Sequence, residues 1–320
     1  DGPMLDDAEQ RLRGGRCKQL WEDFPGNNMI CCRGLCLTGP DPTIFIFNLI
    51  LTFGILSAFY ILIAIRLHPV VFVIGFILHG LSLYFLLRCA FTDPGIMKRG
   101  STPQNTENPP THIVNGQVQQ LVYCNTCHIF RPPKCKHCRT CNNCVEEFDH
   151  HCPWVMNCVG KRNYRYFVGF VATISILCVY VCACCLGLLI KTGVSGGSLP
   201  THVVLLAIVI ILVTGCLGCT LSGFAGFHCR LIAQGMTTNE YLKGRQAESK
   251  DNSCIKNCCN VYCTGLPKAN IDLRGPADIE MKDGANKEDE EDEISEKPVD
   301  DASVLNSKKR KTGSDVELGN

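Results

Sequence analysis

Residues 148–158 read FDHHCPWVMNC, with Asp149, His150, His151 and Cys152 in direct succession. Each of these side chains can bind a metal, move a proton or attack a carbonyl. Which of them does which depends on the residues around them. Positions 124–158 hold Cys124, Cys127, His128, Cys135, His137, Cys138, Cys141, Cys144, His150, His151, Cys152 and Cys158. Zinc takes four Cys or His ligands in a closed structural site. Cys124, Cys127, His137 and Cys144 spell C-x2-C-x9-H-x6-C, and a shift of fourteen returns the same pattern as Cys138, Cys141, His151 and Cys158. A third copy starting at Cys152 fails, because Val155, Arg165 and Ala172 stand in the remaining places.

Two interleaved Cys3His zinc sites are therefore expected. His151 is spent as a ligand, while His150 and Cys152 are left free. His128 and Cys135 read as loop residues near the metal. A cysteine nucleophile needs its thiolate, a neighbouring histidine can take the proton, and a carboxylate can orient that histidine. Asp149, His150 and Cys152 supply the three types. Spacing alone also fits a second role, in which Asp149 and His150 only support the ligands. Residues so close in sequence do not necessarily converge on a regular helix or strand. The expectation is that the metal bond of His151 holds an irregular backbone there.

The elements that must position this stretch are apolar. Four blocks cover about 43–65, 70–91, 166–190 and 202–226, each long enough to cross a bilayer as a helix. Asn48, His79 and Arg88 interrupt them only mildly. The chain has 320 residues and a formal net charge of +1, which gives no bulk attraction to nucleic acid. Residues 1–42 are mostly polar and show no cleavable signal pattern, so the first helix is expected to be retained. Lys and Arg collect at Arg11, Arg13, Arg16, Lys18 and Arg33, and again between the second and third blocks from Lys98 to Arg165. The links 65–69 and 191–201 carry only Arg66 and Lys191. The positive-inside rule places both termini and the central loop in the cytosol. In that reducing compartment the 24 cysteines argue for metal or catalysis rather than disulfides.

The fold class that follows is an α-helical polytopic membrane protein. Four transmembrane helices carry a cytosolic two-zinc cysteine-rich domain between helices 2 and 3. Its segments are an N-terminal cytosolic stretch (1–42), helices at 43–65 and 70–91, and the cysteine-rich domain at 92–165. Helices at 166–190 and 202–226, a juxtamembrane segment at 227–275 and a disordered acidic tail at 276–320 complete it.

The run from Cys124 to Phe167 resembles the cysteine-rich domain of the DHHC protein S-acyltransferases, the palmitoyltransferases. The matching residues are Arg131-Pro132-Pro133, His137-Cys138, Asp149-His150-His151-Cys152, Trp154 and Asn157-Cys158-Val159-Gly160. Asp93-Pro94-Gly95 and Thr237-Thr238-Asn239-Glu240 are similar to the family's DPG and TTxE motifs, and the likeness covers roughly 20–275. The resemblance implies that Cys152 takes a long acyl chain, such as palmitoyl, from acyl-CoA and passes it to a cysteine of a membrane-associated protein. It implies that His150 is the base and that Asp149 orients it. The eight ligands of the repeat would hold the family's two zinc ions, and the chain would lie among the membrane helices. A Golgi or endoplasmic reticulum membrane is the family expectation, ahead of the plasma membrane.

Residues 19–42 look like the subgroup that includes Ras palmitoyltransferases, which act with a small accessory subunit. Two departures stand out: Cys135 replaces a small or polar residue, and the Asn-Pro-Tyr often found after TTxE is missing from 251–266. Lys161, Arg162 and Arg165 suit either CoA phosphates or anchoring of the third helix. Cys31, Cys32, Cys258, Cys259 and Cys263 flank the membrane and suit either acylation or plain thiols. Cys178, Cys182, Cys184 and Cys185 read as packing residues.

Overall fold

The computed structural model describes residues 18–114, 117–244 and 253–277, all within one packed unit, Asp1–Gly284. The basic residues up to Arg16 and almost all of the acidic tail lie outside the described residues.

Among the described residues, four helices are long and apolar enough to cross a membrane: α1 (Thr43–Leu67), α2 (Pro69–Phe91), α3 (Tyr164–Val194) and α4 (Thr201–Gln234). Asp41 opens α1 by accepting the Thr43 N–H at 2.9 Å. The turn Tyr60–Ala64 of α1 is π-helical. Pro69 starts α2 at the one helical position where its missing N–H costs nothing. At 1.5 Å per residue, α3 and α4 run to about 45–50 Å, longer than the ~30 Å hydrocarbon core. The surplus turns carry both helices up to the cysteine-rich domain. α3 packs on α4 and on α2. One apolar core joins Leu56, Phe59, Ile63, Val181, Leu188 and Ile210 deep among the helices. A second joins the near ends of α2, α3 and α4 to Cys152, Val155, Met156 and Val159.

The domain between α2 and α3 is built from short antiparallel hairpins. They pair β3 (Thr111–Val114) with β4 (Gln117–Gln120), and β5 (Tyr123–Cys124) with β6 (Ile129–Phe130). β7 (Lys136–Cys138) pairs with β8 (Asn143–Val145), and β9 (His150–Cys152) with β10 (Asn157–Val159). Hairpins this short cannot bury enough apolar surface to stand alone. Cross-linking through side chains must hold them.

Among the attachments that fix the domain to the helices, three lie near α2 and the N-terminal segment. Asp93 leaves α2 and accepts the N–H groups of Gly95 and Ile96, both at 2.9 Å, while Arg162 Nη1 donates to its other oxygen at 2.6 Å. Gly95 sits at φ +110°, where a side chain would be strained. Asn157 is fully buried and donates to the carbonyls of Ala90 (3.0 Å) and Thr92 (3.1 Å) at the end of α2. The third attachment is the N-terminal segment. Its hairpin β1 (Met29–Cys31) and β2 (Cys36–Thr38) leads to Gly39, whose N–H donates to the Met156 carbonyl at 2.6 Å. Thr38 Oγ1 donates to the same carbonyl at 3.0 Å. The stretch before β1 pairs with the C-terminal stretch, Leu20 N–H to Gly275 O and Trp21 N–H to Leu273 O.

Beyond α4, α5 (Thr238–Leu242) is a single turn with a capping box. Thr237 Oγ1 accepts the Glu240 N–H at 3.2 Å, and Glu240 Oε2 accepts the Thr237 N–H at 2.9 Å. Helix α6 (Cys254–Tyr262) then lies along α4, with Asn257 Nδ2 donating to Ala233 O at 2.8 Å.

Candidate active site

The three successive hairpins explain why the two ligand sets interleave. The β5–β6 hairpin supplies Cys124 and Cys127. The facing pair His137 and Cys144 on β7–β8 completes that cluster. The turn region of β7–β8 supplies Cys138 and Cys141, and the facing pair His151 and Cys158 on β9–β10 completes the second. Side chains alternate along a strand, so the neighbours His137 and Cys138 serve different clusters. His137 Nδ1 lies 3.4–3.8 Å from its three sulfurs, and His151 Nδ1 lies 3.5–3.8 Å from its own three. Donors on a tetrahedron with metal–sulfur bonds of ~2.3 Å and metal–nitrogen bonds of ~2.0 Å are about 3.5–3.8 Å apart. Both clusters therefore fit a tetrahedral metal ion. Cys135 packs beside the first cluster, outside the tetrahedron. His128 faces Tyr123, its Nδ1 3.4 Å from Oη.

The same alternation orders the other side chains of β9. His151 turns to the metal cluster, so His150 and Cys152, two residues apart, fall on the opposite face. This corrects the expectation of an irregular backbone: β9 is a regular strand, paired with β10 as His150–Val159, His151–Cys158 and Cys152–Asn157. The period of two, not a distortion, is what brings imidazole and thiol together.

Asp149 precedes the strand and is buried, its side chain 1% exposed against 27% for His150. The His150 Nδ1 donates to its Oδ2 at 2.7 Å, and the Thr238 N–H donates to its Oδ1 at 2.6 Å. Burial pushes the Asp149 carboxyl up, but the His150 hydrogen bond and charge and the Thr238 N–H outweigh it and hold the group below its ordinary range. Burial likewise disfavours the charged form of His150. Its hydrogen bonds to Asp149 and Cys152 prevail and push its pKa up to about 9. With Nδ1 on the carboxylate, Nε2 is the nitrogen left for the thiol. Thr238 is presented by the capped turn α5, and Lys134 ties that turn back to the domain, Nζ donating to Gly235 O at 2.9 Å and lying 3.6 Å from Glu240.

Cys152 stands at the mouth of a cavity of ≈ 560 Å³ that runs down between α1, α3 and α4. Along α3 its walls are Phe167, Phe170, Val171, Ile174, Leu177, Cys178 and Val181, one helical face. From Phe167 to Val181 that face covers about 21 Å. Thr214 and Leu217 of α4 and Leu51, Ile55 and Leu56 of α1 close the other sides. The site thus couples a thiol, a base and an anchored carboxylate to a long apolar slot. Such a site can exchange thioesters that carry a hydrocarbon chain.

Lys161, Arg162 and Arg165 are already engaged. Lys161 pairs with Glu146 at 2.5 Å, Arg162 with Asp93, and Arg165 Nη1 donates to Thr264 O at 2.7 Å. Their contacts tie the start of α3 to its neighbours. Arg165 also shows that Thr264 and Gly265 hold the start of α3 without the Asn-Pro-Tyr. Sequence reasoning gave no role to Lys134, Asn157, Thr38 or Gly39, whose bonds follow no period and end on backbone carbonyls. Cys31, Cys32, Cys259 and Cys263 are exposed, and Cys258 is half-buried.

Comparisons with known proteins agree with this chemistry. The family model for DHHC palmitoyltransferase matches residues 117–245. Palmitoyltransferase ZDHHC9 of Homo sapiens is 37% identical over 292 residues, covering 81% of this chain and 80% of that protein. Palmitoyltransferase ZDHHC18 of Homo sapiens is 37% identical over 294 residues, covering 82% and 76%. Palmitoyltransferase ZDHHC9 of Danio rerio is 35% identical over 287 residues, covering 80% and 74%.

Proposed function

The chain belongs to the DHHC palmitoyltransferase family and is a protein S-palmitoyltransferase, and from that premise we propose how its own residues carry the transfer. Cys152 is the nucleophile, His150 the base and Asp149 the group that orients the base. Nε2 of His150 takes the Cys152 proton, and the thiolate attacks the carbonyl carbon of palmitoyl-CoA. The CoA sulfur leaves with the electron pair and recovers the proton from His150. Cys152 then holds the chain as a thioester. In the second step His150 takes the proton of the acceptor cysteine, whose sulfur attacks the same carbonyl and releases the Cys152 thiolate. That thiolate recovers the proton. One thioester replaces another at each step, so no further energy source is needed.

The observation that carries this reading is the shared face of His150 and Cys152 at the mouth of the apolar slot. Each buried methylene contributes about 0.8 kcal/mol, so a palmitoyl chain is held far more firmly in the slot than a short acyl group. Two zinc ions, held by Cys124, Cys127, His137 and Cys144 and by Cys138, Cys141, His151 and Cys158, cross-link the hairpins when bound. DPG (Asp93, Pro94, Gly95) and TTxE (Thr237, Thr238, Glu240) hold the two flanks. The placement of Lys and Arg favours the cytosolic side for the active face and both termini, and the family resemblance favours a Golgi or endoplasmic reticulum membrane. The acceptors are cysteines of membrane-associated proteins, and a small accessory subunit is the expected partner.

The test is transfer itself. Protein loaded with labelled palmitate and freed of donor is added to vesicles bearing a lipid-anchored peptide with one cysteine. The label should pass to the peptide cysteine. Label that reaches water but never the peptide would overturn the two-step reading.

A further inference from the structure

His228 is a buried imidazole that the transfer steps do not use. It lies in α4 and is 0% exposed. Its Nδ1 is 3.0 Å from the hydroxyl of Tyr164, at the start of α3. Around it stand Phe224 edge-on at 4.6 Å, Phe167 at 5.1 Å and Phe227 at 5.4 Å between ring centroids. A phenyl ring would fill such a cage, so packing alone does not call for an imidazole. The remaining neighbour is polar: the ring of His150 lies 6.4 Å away, and Asp149 is near enough for an electrostatic interaction.

Hydrogen-bond accounting fixes how the pair is arranged. Nε2 of His228 is buried without a partner among the described residues. If the Tyr164 hydroxyl donates to Nδ1, only the Nε2 N–H goes unpaired. If Nδ1 donates instead, a phenol O–H and a bare Nε2 are both stranded. Buried polar groups cost free energy when unpaired, so the first arrangement wins. Tyr164 therefore donates, and the bond ties α3 to α4 at the level of the active site.

The two histidines share a wall. Phe167, one turn beyond Tyr164, meets the His150 ring edge-on at 5.0 Å and the His228 ring at 5.1 Å. It also lines the slot beneath Cys152. Asp149 and Cys152 hold His150 at its two edges, but bonds along that one line leave the ring free to tilt about it. Phe167 limits that tilt, and its own position is set by His228. We propose that Tyr164 and His228 are positioning residues for the transfer at Cys152: their bond holds Phe167 as the stop that keeps His150 turned toward the thiol. The inference rests on the roles given above to Cys152 and His150.

Full-length protein in detergent is compared with Tyr164→Phe, His228→Gln and His228→Phe. Tyr164→Phe removes one oxygen and keeps the ring. His228→Gln keeps an acceptor for the Tyr164 hydroxyl, and His228→Phe keeps only the bulk. The readouts are the single-turnover rate of Cys152 loading by labelled palmitoyl-CoA, KM for that donor, and bound metal. Tyr164→Phe and His228→Phe should slow loading by about 10–100-fold, the usual range for groups that orient a functional histidine. KM should rise far less than the loading rate falls, because Phe167 is one of many residues that line the slot. Bound metal should not change, and His228→Gln should recover most of the rate. Full-rate Tyr164→Phe, or His228→Gln as slow as His228→Phe, overturns the inference and leaves the Cys152 reading standing. A loss seen in KM instead of rate, or accompanied by loss of metal, also overturns it. An unlabelled wild type sinks the Cys152 reading and this inference together.

Discussion

Replacing Asp149 by asparagine changes almost no volume but removes one acceptor. Both carboxylate oxygens are in use, Oδ1 by the Thr238 N–H at 2.6 Å and Oδ2 by His150 Nδ1 at 2.7 Å. Asparagine offers one oxygen and one NH2 group, so it satisfies only one donor and confronts the other. If the oxygen stays with His150, the NH2 faces the Thr238 N–H, and a hydrogen bond to a charged group worth about 1.5–3 kcal/mol is lost. If the oxygen goes to Thr238, the NH2 faces Nδ1 of His150. The imidazole can answer by moving its proton to Nε2, whereas the Thr238 N–H cannot become an acceptor. The second arrangement therefore prevails. It traps His150 as the tautomer that cannot take the Cys152 proton. The loss is then that of general-base catalysis, about 10²–10⁴-fold. Single-turnover loading with labelled palmitoyl-CoA reads the rate, and elemental analysis checks that both metals remain. Asp149→Asn loading at the wild-type rate with its metals bound would refute the reasoning.

Other perturbations follow from the same contacts. Cys141→Ser opens the cluster that holds β9 against β10. Bound metal should fall from two ions to one per chain, and loading should vanish. Thr214→Trp puts a large ring near the deep end of the slot. Loading by palmitoyl-CoA should drop sharply while a shorter acyl-CoA still reacts, as a donor series would show. Gly95→Val forces a branched side chain into φ +110°. The cost of about 1–3 kcal/mol should appear as a lower Tm, at unchanged metal content in the protein that remains folded.

The ligand sets were legible because metal geometry writes itself into spacing. A shift of fourteen residues is the length of one hairpin unit: the first gives two cysteines, the last a histidine–cysteine pair, and the middle one gives both, to different clusters. Asp149, His150 and Cys152 were legible by residue type, but their convergence was misjudged. A strand of three residues leaves no alternation to read when each of its members is polar or reactive. The slot was invisible for the opposite reason. Positions 167–181 are nearly all apolar, so the face that lines a cavity and the face that meets lipid look alike. The hold of Gly39 on Met156, and of Thr238 on Asp149, runs through backbone N–H groups that nearly every residue carries. Only the fold brings those groups across more than eighty residues of chain.

The central claim is that Cys152 carries the acyl group. Purified protein is incubated with labelled palmitoyl-CoA, and the label is mapped by peptide mass spectrometry and tested with hydroxylamine, alongside Cys152→Ser and Cys135→Ser. The account predicts a hydroxylamine-labile adduct on Cys152 that is absent from Cys152→Ser and retained in Cys135→Ser. Label that persists at another cysteine at the same rate in Cys152→Ser would contradict it.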